Sequence, residues 1–122
     1  MAYSILIVDS HPVAVARLAQ PLQRAGYEVT GTTVFEAAKQ RLATNPPDML
    51  IAATKLGMFN GLHLIVFGRL DCPGMTSILT ASTGDPLLEA EASSYGAACV
   101  VAPETPTEVL ALVSRTFASK PM

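Results

Sequence analysis

Charged residues are scarce in this chain of 122 residues, where they make up 15% of the sequence, against about 25% in ordinary soluble domains. The formal net charge is −2, and the few Lys and Arg residues form no basic cluster. Binding to nucleic acid or to anionic lipid needs such a cluster, so the sequence gives no support for either. Two explanations of the scarce charge stay open: a compact domain cut from a larger protein, or apolar surface that binds a partner or a second copy.

Cysteine is equally scarce. Cys72 and Cys99 form no CxxC pair and no Cys/His spacing that suits zinc. We expect both to be reduced, with Cys99 in the core. The first ten residues lack the basic flank and cleavage site of a signal peptide, and no apolar run reaches the roughly 18 residues of a membrane span. A cytoplasmic location is the default expectation.

Five apolar, β-rich runs alternate with five segments of helical periodicity. The first run, Tyr3–Ser10, is continuous, which is typical of a strand buried on both faces of a parallel sheet. The other predicted strands lie within residues 27–32, 48–54, 73–82 and 98–102. The predicted helices are residues 12–26, 33–47, 60–70, 84–97 and 105–119. This alternation predicts one α/β domain over residues 1–122, a doubly wound parallel sheet with helices on both faces.

Polar residues that can cap a helix precede four of the predicted helices. A side-chain oxygen at this position accepts a hydrogen bond from a backbone N–H of the first turn. The predicted caps are Thr32 or Thr33, Asn60, Asp85 and Thr105.

In an open doubly wound sheet, ligands bind beyond the carboxyl ends of the strands. The first, third, fourth and fifth strands are predicted to end at Asp9-Ser10, Ala53-Thr54, Thr80-Ala81 and Ala102-Pro103. The first strand is followed by "DSHP", which has no Gly-rich phosphate-binding fingerprint and argues against dinucleotide binding. The candidate site is therefore at these strand ends.

Four segments, in order along the chain, resemble the receiver domains of two-component response regulators. They are "ILIVDS", "PDMLIAATKLGMFNGLHL", "SILTAS" and "YGAACVVAPETPTEVLALV". The second matches the family without gaps, and the last needs one deletion before Pro103. The resemblance covers essentially the whole chain. It implies a flavodoxin-like fold, with a five-stranded parallel sheet of order 2-1-3-4-5 and five helices.

The resemblance also assigns roles to positions. A receiver accepts a phosphoryl group from a histidine kinase on an Asp at the end of its third strand, and that position is Ala53, counted back from Gly61. The acidic pair that helps to bind Mg²⁺ is reduced to Asp9 and Ser10. The Thr or Ser that contacts the phosphoryl group is present as Thr80.

Two more positions depart from the family pattern. The Lys that pairs with the phosphoryl group is replaced by Ala102, and the aromatic switch position is Val100. Alanine has no oxygen, so Ala53 cannot attack phosphorus. With Asp9 as the remaining weak candidate ligand, Mg²⁺ binding is expected to be weak or absent. Asp9 is either a leftover metal ligand or, as we favour, a carboxylate that accepts backbone hydrogen bonds.

The resemblance therefore implies a degenerate pseudo-receiver with no catalytic residue, no cofactor and no enzymatic activity. The remnants of its pocket are Asp9, Ser10, Ala53, Thr54, Thr80, Ala81 and Ala102.

Other residues are weaker candidates for accepting a phosphoryl group. Asp48 begins the third strand, roughly 16 Å from Ala53 at about 3.3 Å per residue. Thr54 has a hydroxyl but no base, and adjacent strand residues point to opposite faces. His11 is expected to be an exposed loop residue, and His63 a partly buried helix residue.

Three functions stay open. The first is a phosphorylation-independent receiver-like domain that binds a protein partner, such as a histidine kinase or another regulator, or a second copy of itself. In this family the face of helix 4, strand 5 and helix 5 carries such contacts, which corresponds to Asp85–Tyr95, Cys99–Val101 and Pro106–Phe117. The second is a conventional receiver that uses another acceptor residue. The third is a small-ligand sensor that uses the vacated pocket.

Overall fold

The computed structural model describes residues 3–56, 58–72, 74–81, 84–101 and 106–118. The strands are β1 (Ser4–Val8), β2 (Glu28–Thr32), β3 (Met49–Ala53), β4 (Lys55–Leu56), β5 (Phe59–Asn60), β6 (Thr76–Ala81) and β7 (Ala98–Val101). The helices are α1 (Pro12–Arg24), α2 (Phe35–Thr44), α3 (Gly61–Asp71), α4 (Pro86–Ser94) and α5 (Pro106–Ala118). The five predicted strands and five predicted helices are all found.

The sheet is parallel and has the strand order β2-β1-β3-β6-β7. Because β4 and β5 form a separate antiparallel ladder, this is the predicted order 2-1-3-4-5 of the five sheet strands. The sequence predicts no strands for β4 and β5, since strands of two residues are too short to show a period. The central strand is β3, which pairs with β1 on one side and β6 on the other.

Apolar side chains cover both faces of the sheet. On β1, Ile5 and Ile7 pack in one buried cluster, and Leu6 and Val8 pack in the other. The first cluster includes buried residues of α1 and α5, and the second includes buried residues of α2 and α3. Burial on both faces is what the continuous apolar run of β1 predicted.

Helix caps explain where two helices begin. The Oδ1 atom of Asn60 accepts a hydrogen bond from the Leu62 N–H at 2.8 Å, at the start of α3. At the start of α4, Asp85 Oδ1 accepts from the N–H groups of Leu87 and Leu88 at 3.1 and 3.3 Å. Both caps were predicted from the sequence.

The predicted cap of α2 is wrong. The capping position is Val34 rather than Thr32 or Thr33, and valine has no side-chain oxygen. The Thr32 hydroxyl accepts a hydrogen bond from the Val34 N–H at 3.1 Å instead, which forms a turn before the helix. The predicted cap Thr105 lies outside the described residues.

Two predictions about burial also need correction. His63 is exposed, while Leu62, Leu64 and Ile65 around it are buried, because the helical period turns position 63 outward. Cys99 is half-buried rather than in the core, since β7 is an edge strand. Both cysteines are free thiols. In the described part of the chain, no helix is long and apolar enough to cross a membrane.

Candidate functional site at the carboxyl edge of the sheet

The strand register places the predicted site residues in a row. Ala53 at the end of β3 pairs with Thr80 on β6, and Thr80 pairs with Val100 on β7. Register partners in a parallel sheet lie side by side on one face. Asp9 directly follows β1, whose last residue, Val8, pairs with Ala52. Ala102 lies outside the described residues.

The methyl group of Ala53 stands at the end of β3, and the first residue of α3 packs closely on the same strand end. Ala53 is half-buried. A Cβ atom added at Gly61 would collide with the carbonyl of Ala53 and lie 3.2 Å from Ala52 Cβ. The Gly61 N–H also donates to the Thr54 carbonyl at 3.0 Å. This end of β3 is therefore held by close backbone packing.

The hydroxyl of Thr54 joins two strands. Its Oγ1 donates to the Thr80 carbonyl at 2.9 Å, and its backbone N–H donates to the same carbonyl at 2.8 Å. Thr80 and Ala81, the last residues of β6, are both buried. The Thr54 hydroxyl therefore contributes to the β3–β6 pairing rather than standing free at the edge.

Asp9, Ser10 and His11 form a small polar cluster after β1. The Asp9 side chain is 17% exposed and the His11 side chain 81% exposed. Asp9 Oδ1 accepts a hydrogen bond from the His11 backbone N–H at 3.0 Å and lies 3.3 Å from His11 Nδ1. Asp9 thus accepts a backbone hydrogen bond, which is the second of the two roles considered for it.

The hydroxyl of Ser10 reaches across to the end of β3. Ser10 Oγ donates to the Lys55 carbonyl at 3.4 Å and lies 3.3 Å from His11 Nδ1. The Lys55 carbonyl and the Asp9 carboxylate therefore both have hydrogen-bond partners within the protein.

Asp9 is the one carboxylate among the predicted pocket residues. Mg²⁺ needs near-octahedral oxygen coordination, usually with one or two carboxylates. Among the described residues, no group of three or more His, Cys, Asp or Glu side chains could hold a metal ion.

The half-buried Cys99 on β7 is not set up as a nucleophile. Burial raises the pKa of its thiol above the ordinary value of 9.0, and the negative charge of Glu89 on α4 raises it further. The thiolate is the reactive form of cysteine, so burial and the charge of Glu89 both disfavour reaction at Cys99.

A cavity away from the carboxyl edge was not predicted. It has a volume of about 410 Å³, and its walls include Val66, Arg69, Leu70 and Tyr95. The i, i+4 spacing of Val66 and Leu70 was visible as helical periodicity. The approach of the segment after α4 is a long-range contact, which local sequence patterns do not show.

The similarity of this chain to known proteins is a similarity of fold. No family model matches this sequence, and no curated protein sequence matches it. A CheY-like response regulator receiver domain protein from Methanospirillum hungatei superimposes with a TM-score of 0.91 and 21% identity, over 98% of this chain and 97% of the other. The chemotaxis protein CheY4 of Vibrio cholerae gives 0.85 and 20%, over 94% and 98% of the two chains.

A third similar structure was solved in a phosphorylated form. It is a response regulator from Burkholderia pseudomallei with a phosphorylated aspartic acid, a calcium ion and citrate. Its TM-score is 0.81 at 22% identity, over 89% of this chain and 65% of that one. At these identities the likeness establishes the fold, so this chain has the CheY-like α/β fold of response regulator receiver domains.

Proposed function

We propose that this chain is an atypical receiver domain in two-component or phosphorelay signalling, which acts by protein–protein contact and is not phosphorylated at the end of β3. One observation carries the proposal. Ala53 occupies the last position of β3, side by side with Thr80. The methyl group there has no oxygen to accept a phosphoryl group.

The joint loss of several polar groups supports a dismantled site over a single chance substitution. An Asp removed alone would leave its Lys partner unpaired, and breaking a buried ion pair on one side costs about 3–5 kcal/mol. The Lys position is Ala102 in the sequence, so both partners are gone. At the former acidic position, the Ser10 hydroxyl donates to the Lys55 carbonyl.

The partner surface in this proposal is the face of α4, β7 and α5. Helix α4 is largely exposed to solvent. Its buried residue is Ala92, and Leu87 is 77% exposed. At the other end of α4, Tyr95 is 38% exposed, so apolar surface is available to a partner at both ends of this helix.

Phosphorylation is tested by intact mass measurement after incubation with acetyl phosphate and Mg²⁺. We expect no stable gain of one phosphoryl group, with a conventional receiver as the positive control. A stoichiometric, stable gain on this chain would overturn the proposal.

A second candidate is a receiver that uses His11 as the acceptor. The observation that favours it is the contact between His11 Nδ1 and Asp9 Oδ1 at 3.3 Å, which orients a ring that is 81% exposed. A carboxylate on one ring nitrogen leaves the other nitrogen free to attack the phosphorus of an acyl phosphate, with the carboxylate of the donor as leaving group. A mass gain that is acid-labile and absent in His11→Gln would establish this alternative.

The partner surface is tested with two matched variants. Leu87→Glu places a charge on the proposed face, while Val13→Glu changes another apolar side chain, 69% exposed, at the start of α1. We expect Leu87→Glu to lose self-association or the capture of a signalling partner, measured by sedimentation and by pull-down. Val13→Glu should retain both. Equal effects of the two variants would contradict the assignment of this face.

A further inference from the structure

The cavity beside α3 lies between the last turns of that helix and the segment that follows α4. Val66, Arg69 and Leu70 come from α3, and Tyr95 is the capping residue at the end of α4. Its volume of about 410 Å³ falls within the range of small-molecule sites, about 300–1,000 Å³. The cavity is therefore large enough for a ligand of modest size.

Most of the named wall is apolar. Val66 is half-buried, Tyr95 is 38% exposed, and Leu70 is 76% exposed although it is a leucine. A ligand that covers these side chains removes apolar surface from water, which favours binding. This wall suits an aromatic or branched aliphatic body.

Arg69 supplies the polar group of the cavity, and one hydrogen bond restrains its guanidinium. Its Nη1 donates to the Tyr95 carbonyl at 3.0 Å, so the guanidinium ties α3 to the end of α4. A guanidinium has five N–H donors in a planar fork, and no other hydrogen bond of Arg69 is found within the described residues. Donors therefore remain for a ligand.

Gly96 has no side chain and so leaves space for the guanidinium of Arg69. This residue has φ +75°, and a Cβ atom added there would lie 3.1 Å from Arg69 Nη1. The missing side chain allows the Arg69 head to lie against the backbone after Tyr95, where part of its motion is already lost. A group held in place before binding loses less conformational entropy when a ligand arrives.

We propose that this cavity binds a small organic carboxylate with an aromatic or branched aliphatic body. The carboxylate receives paired N–H bonds from Arg69, because the guanidinium fork matches carboxylate geometry. The body packs against Val66, Leu70 and Tyr95. A free inorganic anion would leave the apolar wall unused, and an organic cation would be repelled by Arg69. The proposal does not depend on the function proposed above.

Phenylacetate is the probe that tests this site, in an NMR titration of the full chain. Saturable shifts are expected at the amides of residues 66–70 and 95–96, with a dissociation constant of about 1 mM, as suits a ligand of this size. Phenylacetamide has the same shape without the charge and should bind about tenfold more weakly. Equal binding of the two, or no saturable shifts at these amides, would overturn the proposal.

A matched pair of arginine variants separates the site from general charge effects. Arg69→Gln should weaken phenylacetate binding about tenfold. Arg41→Gln removes the same charge from the last turn of α2, where the Arg41 Nε atom likewise donates to a carbonyl, that of Asn45. This variant should bind as the wild type does. Equal weakening in both variants would contradict a site at Arg69.

Arg69→Gln removes the hydrogen bond between α3 and the end of α4 as well as the proposed ligand contact. Leu70→Glu tests the cavity while that hydrogen bond is retained. Leu70 is largely exposed, so the substitution leaves the core intact, while its carboxylate competes for Arg69 and repels the probe. Loss of phenylacetate binding in a variant with wild-type thermal stability supports the site. Unchanged binding in Leu70→Glu would overturn it.

Discussion

The amino end of β3 is preceded by a carboxylate, Asp48, whereas the carboxyl end carries the methyl groups of Ala52 and Ala53. Asp48 Oδ2 accepts hydrogen bonds from the backbone N–H and the hydroxyl of Ser4 at 2.8 and 3.3 Å. Its carbonyl accepts from the N–H and the hydroxyl of Thr76 at 3.1 and 3.3 Å. Asp48 thereby joins β3 to both neighbouring strands.

At the carboxyl end, β3 is held differently. Gly61 packs on the Ala53 carbonyl, and Thr54 bonds to the Thr80 carbonyl. A carboxylate joins the strands at the amino end of β3, whereas backbone packing and a threonine hydroxyl hold the carboxyl end. The two ends of β3 are therefore stabilised by different groups, and variants at each end test that difference.

The largest effect is expected from Gly61→Ala at the carboxyl end. The added methyl group collides with the backbone of Ala53, which cannot move without disturbing β3. Overpacking of this kind destabilises by about 3 kcal/mol, measured by urea unfolding. Gly74→Ala is the matched control, because an added Cβ there meets no atom within 4 Å. Similar losses of stability in both variants would show that the contact with the Ala53 carbonyl does not cause the destabilisation.

At the amino end, Asp48→Ala should lower the free energy of unfolding by about 2 kcal/mol. The hydrogen bonds from Ser4 to Asp48 Oδ2 are lost, and a hydrogen bond to a charged group contributes about 1.5–3 kcal/mol net of its exchange with water. Asp48→Asn keeps a side-chain oxygen for the Ser4 N–H and should lose about half as much. If Asp48→Asn is as unstable as Asp48→Ala, the charge matters more than the acceptor geometry.

Local patterns in the sequence predicted much of this architecture. The continuous apolar run of β1 indicated burial on both faces, and the caps Asn60 and Asp85 were recognised because capping depends on residues within one turn. The order of the sheet strands came from the resemblance to receivers. Long-range contacts were not predictable: the bond from Ser10 to the Lys55 carbonyl joins residues 45 apart in sequence, and no periodicity records such a contact.

Ala53→Asp places a carboxylate at the end of β3 and should lower the free energy of unfolding by about 2 kcal/mol at pH 7. The position is half-buried, and Asp9 lies at the end of the neighbouring strand. Burial and the nearby negative charge both raise the pKa of the new carboxyl above its unfolded value of about 3.9. The unfolded state then releases the proton first as the pH rises, so the variant loses stability as the pH rises from about 3 to 7.

Ala53→Asn is the matched control, since it has the same shape and no charge. Its loss of stability should be smaller at pH 7 and should not change between pH 3 and pH 7 relative to the wild type. If Ala53→Asp is as stable as the wild type at pH 7, the pocket still accommodates a charged acceptor. The dismantled-site proposal would then rest on sequence alone.

The smallest effect is expected from Thr54→Val, which removes one side-chain bond between β3 and β6. The hydroxyl donates to the Thr80 carbonyl, and a neutral hydrogen bond contributes about 1 kcal/mol. Thr30→Val on the edge strand β2 is the control, because Thr30 is exposed and its substitution should change stability by less than about 0.5 kcal/mol. If Thr54→Val is as stable as Thr30→Val, the Thr54 hydroxyl does not stabilise the pairing of β3 with β6. It would again be a candidate for chemistry at the edge where Ala53 has none.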